Sequence, residues 1–180
     1  MVKIFLLLLA TIAAALAWQH ESYHRVSERA LPDNVVADLG TISNDLQSLA
    51  TTVKAYEGIL DGVAIGQSEN AVIKDLDSAT ANADKLSALS ESDSQDIIDA
   101  VKGLIPDIED ALGAIADKEP QFRADSVDGR VTSHVKRLQG KVKKYGNALL
   151  AHAAEQKMAQ GKDLLAKIMD IFARTIAQFQ

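Results

Sequence analysis

Residues 35–56 read VVADLGTISNDLQSLATTVKAY. The apolar positions are Val35, Leu39, Ile42, Leu46, Leu49, Val53 and Tyr56, in alternating steps of 4 and 3. An α-helix turns once in about 3.6 residues, so this spacing gathers all of them on one stripe. A half-buried strand would instead show an apolar residue at every second position. The stretch is therefore an amphipathic helix that starts near Asp33. It decides the fold class because the same rhythm returns several times downstream.

Gly58, Gly62 and Gly66 interrupt the first seam. A second helix carries Val72, Leu76, Ala79, Ala83 and Leu86, a seam with small residues in it. Ser90 and Asp93 are spaced as a capping box, with aspartate where glutamate or glutamine is usual. They introduce a third helix with Ile97, Val101, Leu104, Ile108, Leu112 and Ile115. Pro106 falls inside it. A proline there removes a backbone hydrogen bond at a cost of ~3 kcal/mol. The apolar rhythm nevertheless runs through it, and Ile105 would be a poor cap for a fresh helix. One kinked helix is expected, ended by Glu119-Pro120. Ser126 is expected to cap a fourth helix with Val127, Val131, Val135, Leu138, Val142, Tyr145 and Leu149. A fifth, from about Ala154 to Phe179, shows Met158, Gly161, Leu165, Ile168, Phe172, Ile176 and Phe179. The sequence predicts an all-α fold: an antiparallel bundle of about five amphipathic helices, the third kinked at Pro106.

Length and composition set further bounds. The 180 residues suit one domain, and 47% are hydrophobic but only 4% aromatic, which implies an aliphatic core. Without cysteine there is neither a disulfide framework nor a thiolate metal site. Lys3, the uncharged run from Ile4 to Leu16 and the small-x-small site Ala15-Leu16-Ala17 read as a signal peptide over residues 1–17. The run is short for a membrane span, which takes about 20 residues. After cleavage no transmembrane segment is expected. Residues 18–32 are polar and form a flexible N-terminal extension; 33–180 form the bundle domain. No GPI signal and no N-glycosylation sequon is seen, so the protein is expected to be released outside the cell. Charge is uneven. Residues 1–120 hold 8 basic and 20 acidic side chains, net −12, and residues 121–180 hold 11 and 5, net +6. The basic excess centres on Arg130, Lys136, Arg137, Lys141, Lys143 and Lys144. Two readings fit: a solvated face complementing the acidic helices, or contact with an anionic wall polymer, lipid head groups or a partner. Nucleic acid fits poorly with a net acidic, exported chain.

Chemistry-bearing motifs are few. His20-Glu21-Ser22-Tyr23-His24 matches the H-E-x-x-H spacing of zinc hydrolases. It lies two residues beyond the expected cleavage point, where nothing upstream can wall a cleft, and neither His134 nor His152 suggests a third ligand. A zinc-dependent hydrolase through His20, Glu21 and His24 is a minor alternative. If Trp18 is the mature end, the free amine, two backbone amides and His20 offer a square-planar site for Cu(II) or Ni(II). No G-x-S-x-G elbow occurs, Ser133 and His134 point to different sides of a helix, and Glu109-Asp110 reads as solvent face. No enzyme and no cofactor are expected. The apolar stripes themselves remain, and they lead either to a filled aliphatic core or to a cavity that holds a ligand.

The segments VVADLGTISNDLQSLATTVKAYEG and DLDSATANADKLSALSESDSQDIIDAVKGLIPDIEDALGAIADKEPQF resemble the fungal hydrophobic surface-binding protein A family, also called the cell-wall galactomannoprotein family. The likeness spans about residues 33 to 179. Its most specific pieces are Thr80-Ala81-Asn82-Ala83, Leu104-Ile105-Pro106-Asp107-Ile108 and Lys118-Glu119-Pro120-Gln121-Phe122. The basic fourth helix departs from the family pattern. The resemblance implies a secreted, non-enzymatic helical bundle, free or wall-associated, that binds hydrophobic surfaces or long-chain fatty acids. Cell-wall polysaccharide and secreted hydrolases are further implied partners. A structural wall mannoprotein or adhesin with a filled core is the alternative. The candidate lipid-binding residues are Leu46, Leu49 and Val53 on the first helix, and Leu76 and Ala79 on the second. The third supplies Val101, Leu104, Ile105 and Ile108; the fourth and fifth supply Leu138, Val142, Leu165, Ile168 and Phe172. Tyr56 and Tyr145 would offer a hydroxyl to a carboxylate head.

Overall fold

The computed structural model describes residues 32–180. The segment expected to be a signal peptide, the HESYH motif and the conditional copper site at His20 lie outside the described residues. Helix α1 covers residues 32–54. A 3-10 turn, Ile59–Asp61, leads into α2, Gly62–Ala83, followed by α3, Glu91–Asp117, α4, Glu119–Ala124, α5, Asp128–His152, and α6, Glu155–Gln178. The described residues contain no strand.

The seam of α1 is buried along its whole length: Val35, Leu39, Ile42, Leu46, Leu49 and Val53, and Tyr56 just beyond the helix, are each at most 5% exposed. Helix α3 runs unbroken through Pro106, as the continuous rhythm predicts. Pro106 itself faces solvent, so the lost hydrogen bond falls on the side where water can serve the freed carbonyl. Asp107 next to it ties α3 to α1, accepting from Ser43 Oγ at 2.5 Å and Gln47 Nε2 at 3.0 Å.

Several local expectations are corrected. Gly62 and Gly66 do not interrupt; both lie within α2, because an isolated helical glycine costs only about 1 kcal/mol. The break is confined to residues 55–61. Glu119-Pro120 does not simply end a segment: it opens α4, where a proline near the helix start loses nothing. Ser126 does not cap α5. Its φ is +58°, and the N–H groups of Ser126 and Val127 reach back to the carbonyls of Arg123 and Phe122. That is a Schellman closure of α4, with serine in the place glycine usually takes. At α3, Ser90 Oγ accepts from the Asp93 N–H at 3.1 Å as expected. The Asp93 carboxylate, one methylene shorter than glutamate, takes the Ser90 hydroxyl at 2.6 Å instead of the Ser90 N–H.

The five long helices close a ring in the order α1, α2, α5, α6, α3. Helix α2 packs on α5, α5 on α6 and α6 on α3. The Asp107 bonds and Lys54–Asp110, 2.7 Å, join α3 to α1. Asn82–Asp38, 2.9 Å, and Thr52–Ser68, 3.1 Å, join α1 to α2 and show that these two run antiparallel. Glu69 pairs with Arg137 and Asp77 with Lys141, so α2 and α5 run parallel. Helices consecutive in the chain alternate in direction, as short connections require, but an odd ring cannot alternate throughout. Some lateral neighbours must be parallel, a departure from the simple antiparallel bundle. Five helices around one axis also leave more central space than four of the same side chains would fill.

Candidate functional site

That central space is a narrow cavity of about 90 Å³ lined by all five long helices. Its walls are almost wholly apolar. Helix α1 gives Leu39, Ile42 and Leu46; α2 gives Val72 and Leu76; α3 gives Ile97, Val101, Leu104 and Ile108. Leu138, Val142, Tyr145 and Leu149 come from α5, and Leu164, Leu165, Ile168 and Phe172 from α6. Val101, Val142, Leu164 and Leu165 are only half-buried, which marks where the core is loosest. Two glycines let α5 and α6 approach closely there. A Cβ on Gly146 would stand 2.7 Å from Leu165 Cδ1, and one on Gly161 would stand 2.8 Å from Leu150 Cδ2.

Polar groups in the central cavity are few. At the end formed by the starts of α3 and α6, Lys157 and Ser94 reach its wall. Lys157 Nζ lies 3.4 Å from Glu91 Oε1, and Ser94 Oγ accepts the Ala154 N–H at 3.0 Å. Both helix starts turn the positive end of their backbone dipoles toward this end. The Tyr145 hydroxyl is buried without a hydrogen-bond partner among the described residues. Burial, aided by Asp38, pushes its pKa up, so it stays a neutral donor.

A second, larger cavity of about 500 Å³ occupies the opposite end, between the close of α1, the 3-10 turn and the starts of α2 and α5. Leu49, Val53, Ile65, Ile115 and Val135 form apolar walls, and Arg130, His134 and Glu69 add polar side chains. Leu138 lines both cavities. At the rim stand Ile59, Leu60 and Val63, 62, 92 and 68% exposed. The floor is aromatic: Tyr56 and Phe122 are 4.7 Å apart by ring centroids, and Phe122 and Phe179 6.4 Å.

The structure distributes the predicted residues over both spaces. Leu46, Leu76, Val101, Leu104 and Ile108 line the central cavity, as do Val142, Tyr145, Leu165, Ile168 and Phe172. Leu49, Val53 and Tyr56 line the end cavity, and Leu138 both. Ala79 and Ile105 touch neither; they are ordinary core. Tyr56 does not offer a free hydroxyl. It donates to Asp125 Oδ2 at 2.7 Å, and burial together with that carboxylate pushes its pKa up to about 12. Sequence reasoning missed the end cavity and its rim. The signal was present in Ile59-Leu60-Asp61-Gly62-Val63, an apolar cluster between glycines, but it carries no periodicity. The basic helix is partly accounted for by α2: Arg137 meets Glu69 at 2.9 Å and Lys141 meets Asp77 at 2.7 Å. Among the described residues no cluster of three His, Cys, Asp or Glu could hold a metal, and no helix is long and apolar enough to cross a membrane.

Similar helical architectures are known. The crystal structure of Afmp4p in complex with palmitic acid superposes with a TM-score of 0.79 at 32% identity, covering 83% of this chain and 99% of that one. Ligand binding domain 1 of the Penicillium marneffei MP1 protein, complexed with arachidonic acids, gives 0.77 at 15% identity, covering 83% and 99%. Domain 2 of the same protein, complexed with multiple arachidonic acids, gives 0.73 at 16%, covering 83% and 94%. At that identity the two MP1 domains share the fold. No curated protein matches the chain by sequence. Residues 32–151 match the model of the hydrophobic surface binding protein A family, and the chain belongs to that family.

Proposed function

We propose that this chain is a secreted, non-enzymatic carrier that holds a long-chain fatty acid among its helices. The observation that carries the reading is the central cavity, almost wholly apolar and lined by every long helix. The palmitic acid complex of Afmp4p, at 32% identity over nearly all of that chain, supports it. Each methylene moved from water into such walls contributes ~0.8 kcal/mol. At about 90 Å³ the cavity is smaller than the roughly 300 Å³ at which ligand pockets begin. Entry of a chain therefore requires the half-buried side chains to swing outward, and Leu165 and Leu150, packed on glycines, have the least behind them. The carboxylate is placed at the Lys157 end, where an ammonium and two helix starts favour an anion. The Tyr145 hydroxyl, which has no partner among the described residues, offers one neutral donor to the carboxylate. Export by the N-terminal signal, and residence near the wall, belong to the same proposal.

A second reading rests on Ile59, Leu60 and Val63. Three large apolar side chains exposed on one turn would adsorb to a hydrophobic solid without opening the bundle. Native mass spectrometry after incubation with oleate tests the first reading. Uptake is expected, with the central component lost in Leu165→Trp. A protein that takes up no oleate, yet loses adsorption to polystyrene in Leu60→Ser, would establish the second reading in place of the first.

A further inference from the structure

The end cavity differs from the central one in size, polarity and position. Its charged wall is unequal. Glu69 is 5% exposed, a buried carboxylate, and its partners are accounted for. Oε1 accepts from Arg137 Nη2 at 2.9 Å and Nε at 3.2 Å, and Oε2 meets His134 Nδ1. A buried carboxylate so held leaves nothing over for a further cation. Arg130 lies one turn before His134 on α5, reaches the same cavity and makes no ion pair among the described residues. The cavity mouth thus carries an exposed guanidinium, without an ion-pair partner among the described residues, above apolar walls and beside a rim of exposed Ile59, Leu60 and Val63. This arrangement suits a molecule with an anionic head and an apolar tail.

We propose that the end cavity is a second amphiphile site, independent of the central one, in which Arg130 holds the anionic head of a long-chain carboxylate. The tail lies against Val53, Ile65, Val131 and Val135, and Leu138 closes the site from the central cavity. By the helical rise, Arg130 and Leu138 are about 12 Å apart along α5. The carboxylate therefore stays at the solvent edge and needs no dehydration, while only the tail enters. The two heads lie at opposite ends of the bundle, one at Arg130 and one at Lys157. This inference rests on the acyl-binding reading above.

Gly66 supplies a folding-safe test. It lines the end cavity on the same face of α2 as Glu69, and a Cβ there meets nothing within 4 Å. Gly66→Leu projects an isobutyl group into the cavity where the tail would lie and exchanges a poor helix former for a good one. Palmitate stoichiometry would be read by native mass spectrometry and calorimetry in wild type, Gly66→Leu, Arg130→Gln and Leu165→Trp, with hexadecanol as the uncharged probe. Two palmitates per wild-type chain are expected. Gly66→Leu should retain one, and Leu165→Trp the other. Arg130→Gln should weaken one palmitate about 5-fold and leave hexadecanol unchanged. A single palmitate unaffected by Gly66→Leu overturns the second site and leaves the central reading standing. A single palmitate lost in both cavity-filling variants shows one molecule threading both spaces, which also overturns it. No binding of either probe overturns both.

Discussion

Ser126 sits at φ +58°, where a side chain crowds the backbone and the left-handed conformation costs roughly 1–2 kcal/mol. Its hydrogen bonds belong to the helix it closes, so glycine would keep them and remove the strain. Ser126→Gly is expected to raise unfolding free energy by about 1 kcal/mol, read from urea denaturation. Asp45 is a second point of tension. Burial and the neighbouring Asp75 carboxylate raise its pKa, while Lys74 opposes them. One of its oxygens is buried without a partner among the described residues. A raised folded pKa means that the folded state holds the proton more tightly than the unfolded chain. The associated stability is present below the unfolded value and disappears as pH rises through the folded one. Asp45→Asn should therefore stabilise the protein at pH 7, and the advantage should shrink as pH falls into the carboxylate range. A gain in thermal midpoint that grows toward acid would contradict this account. Neither position was legible from its own residue type. Serine before an apolar run looks like a cap, and whether it caps the following helix or closes the preceding one depends on backbone torsions.

At the scale of elements, the sequence was informative wherever a stripe was long. The seam of α1 and the continuity of α3 through Pro106 follow from periodicity, because a helix repeats its environment every three or four residues. The short α4 had no period to show. Pro106 faces solvent, so replacing it removes no packing. Pro106→Ala restores the N–H needed by the Lys102 carbonyl and should stabilise α3, by less than the ~3 kcal/mol of an unaccommodated proline. The contact of α5 with α6 is more delicate. Gly146→Val would place atoms within 2.7 Å of Leu165 and drive that side chain into the central cavity. Palmitate uptake should fall several-fold while far-ultraviolet circular dichroism stays helical. Unchanged uptake would show that the cavity widens elsewhere.

At the scale of the whole molecule, the aromatic floor closes one end of the ring. Phe122 is 2% exposed and contacts the Tyr56 and Phe179 rings, bringing α4 together with the segment just after α1 and the C-cap of α6. Phe122→Ala should cost about 3–5 kcal/mol in chemical denaturation, since a large side chain is removed where three elements meet. A loss below 1 kcal/mol would mean that the floor collapses freely. By itself, the sequence determined the all-helical class, the faces that turn inward and the aliphatic nature of what they enclose. These depend on local periodicity and composition, and each can be read within a few turns of chain. Only the tertiary structure decided that five helices close a ring, that Tyr56 spends its hydroxyl on Asp125 while Tyr145 keeps its own, and that a second cavity opens beside Arg130. Those features join residues distant in sequence, 69 positions apart for Tyr56 and Asp125. An apolar stripe specifies that a face is buried, but not which face it meets or how much space remains between them.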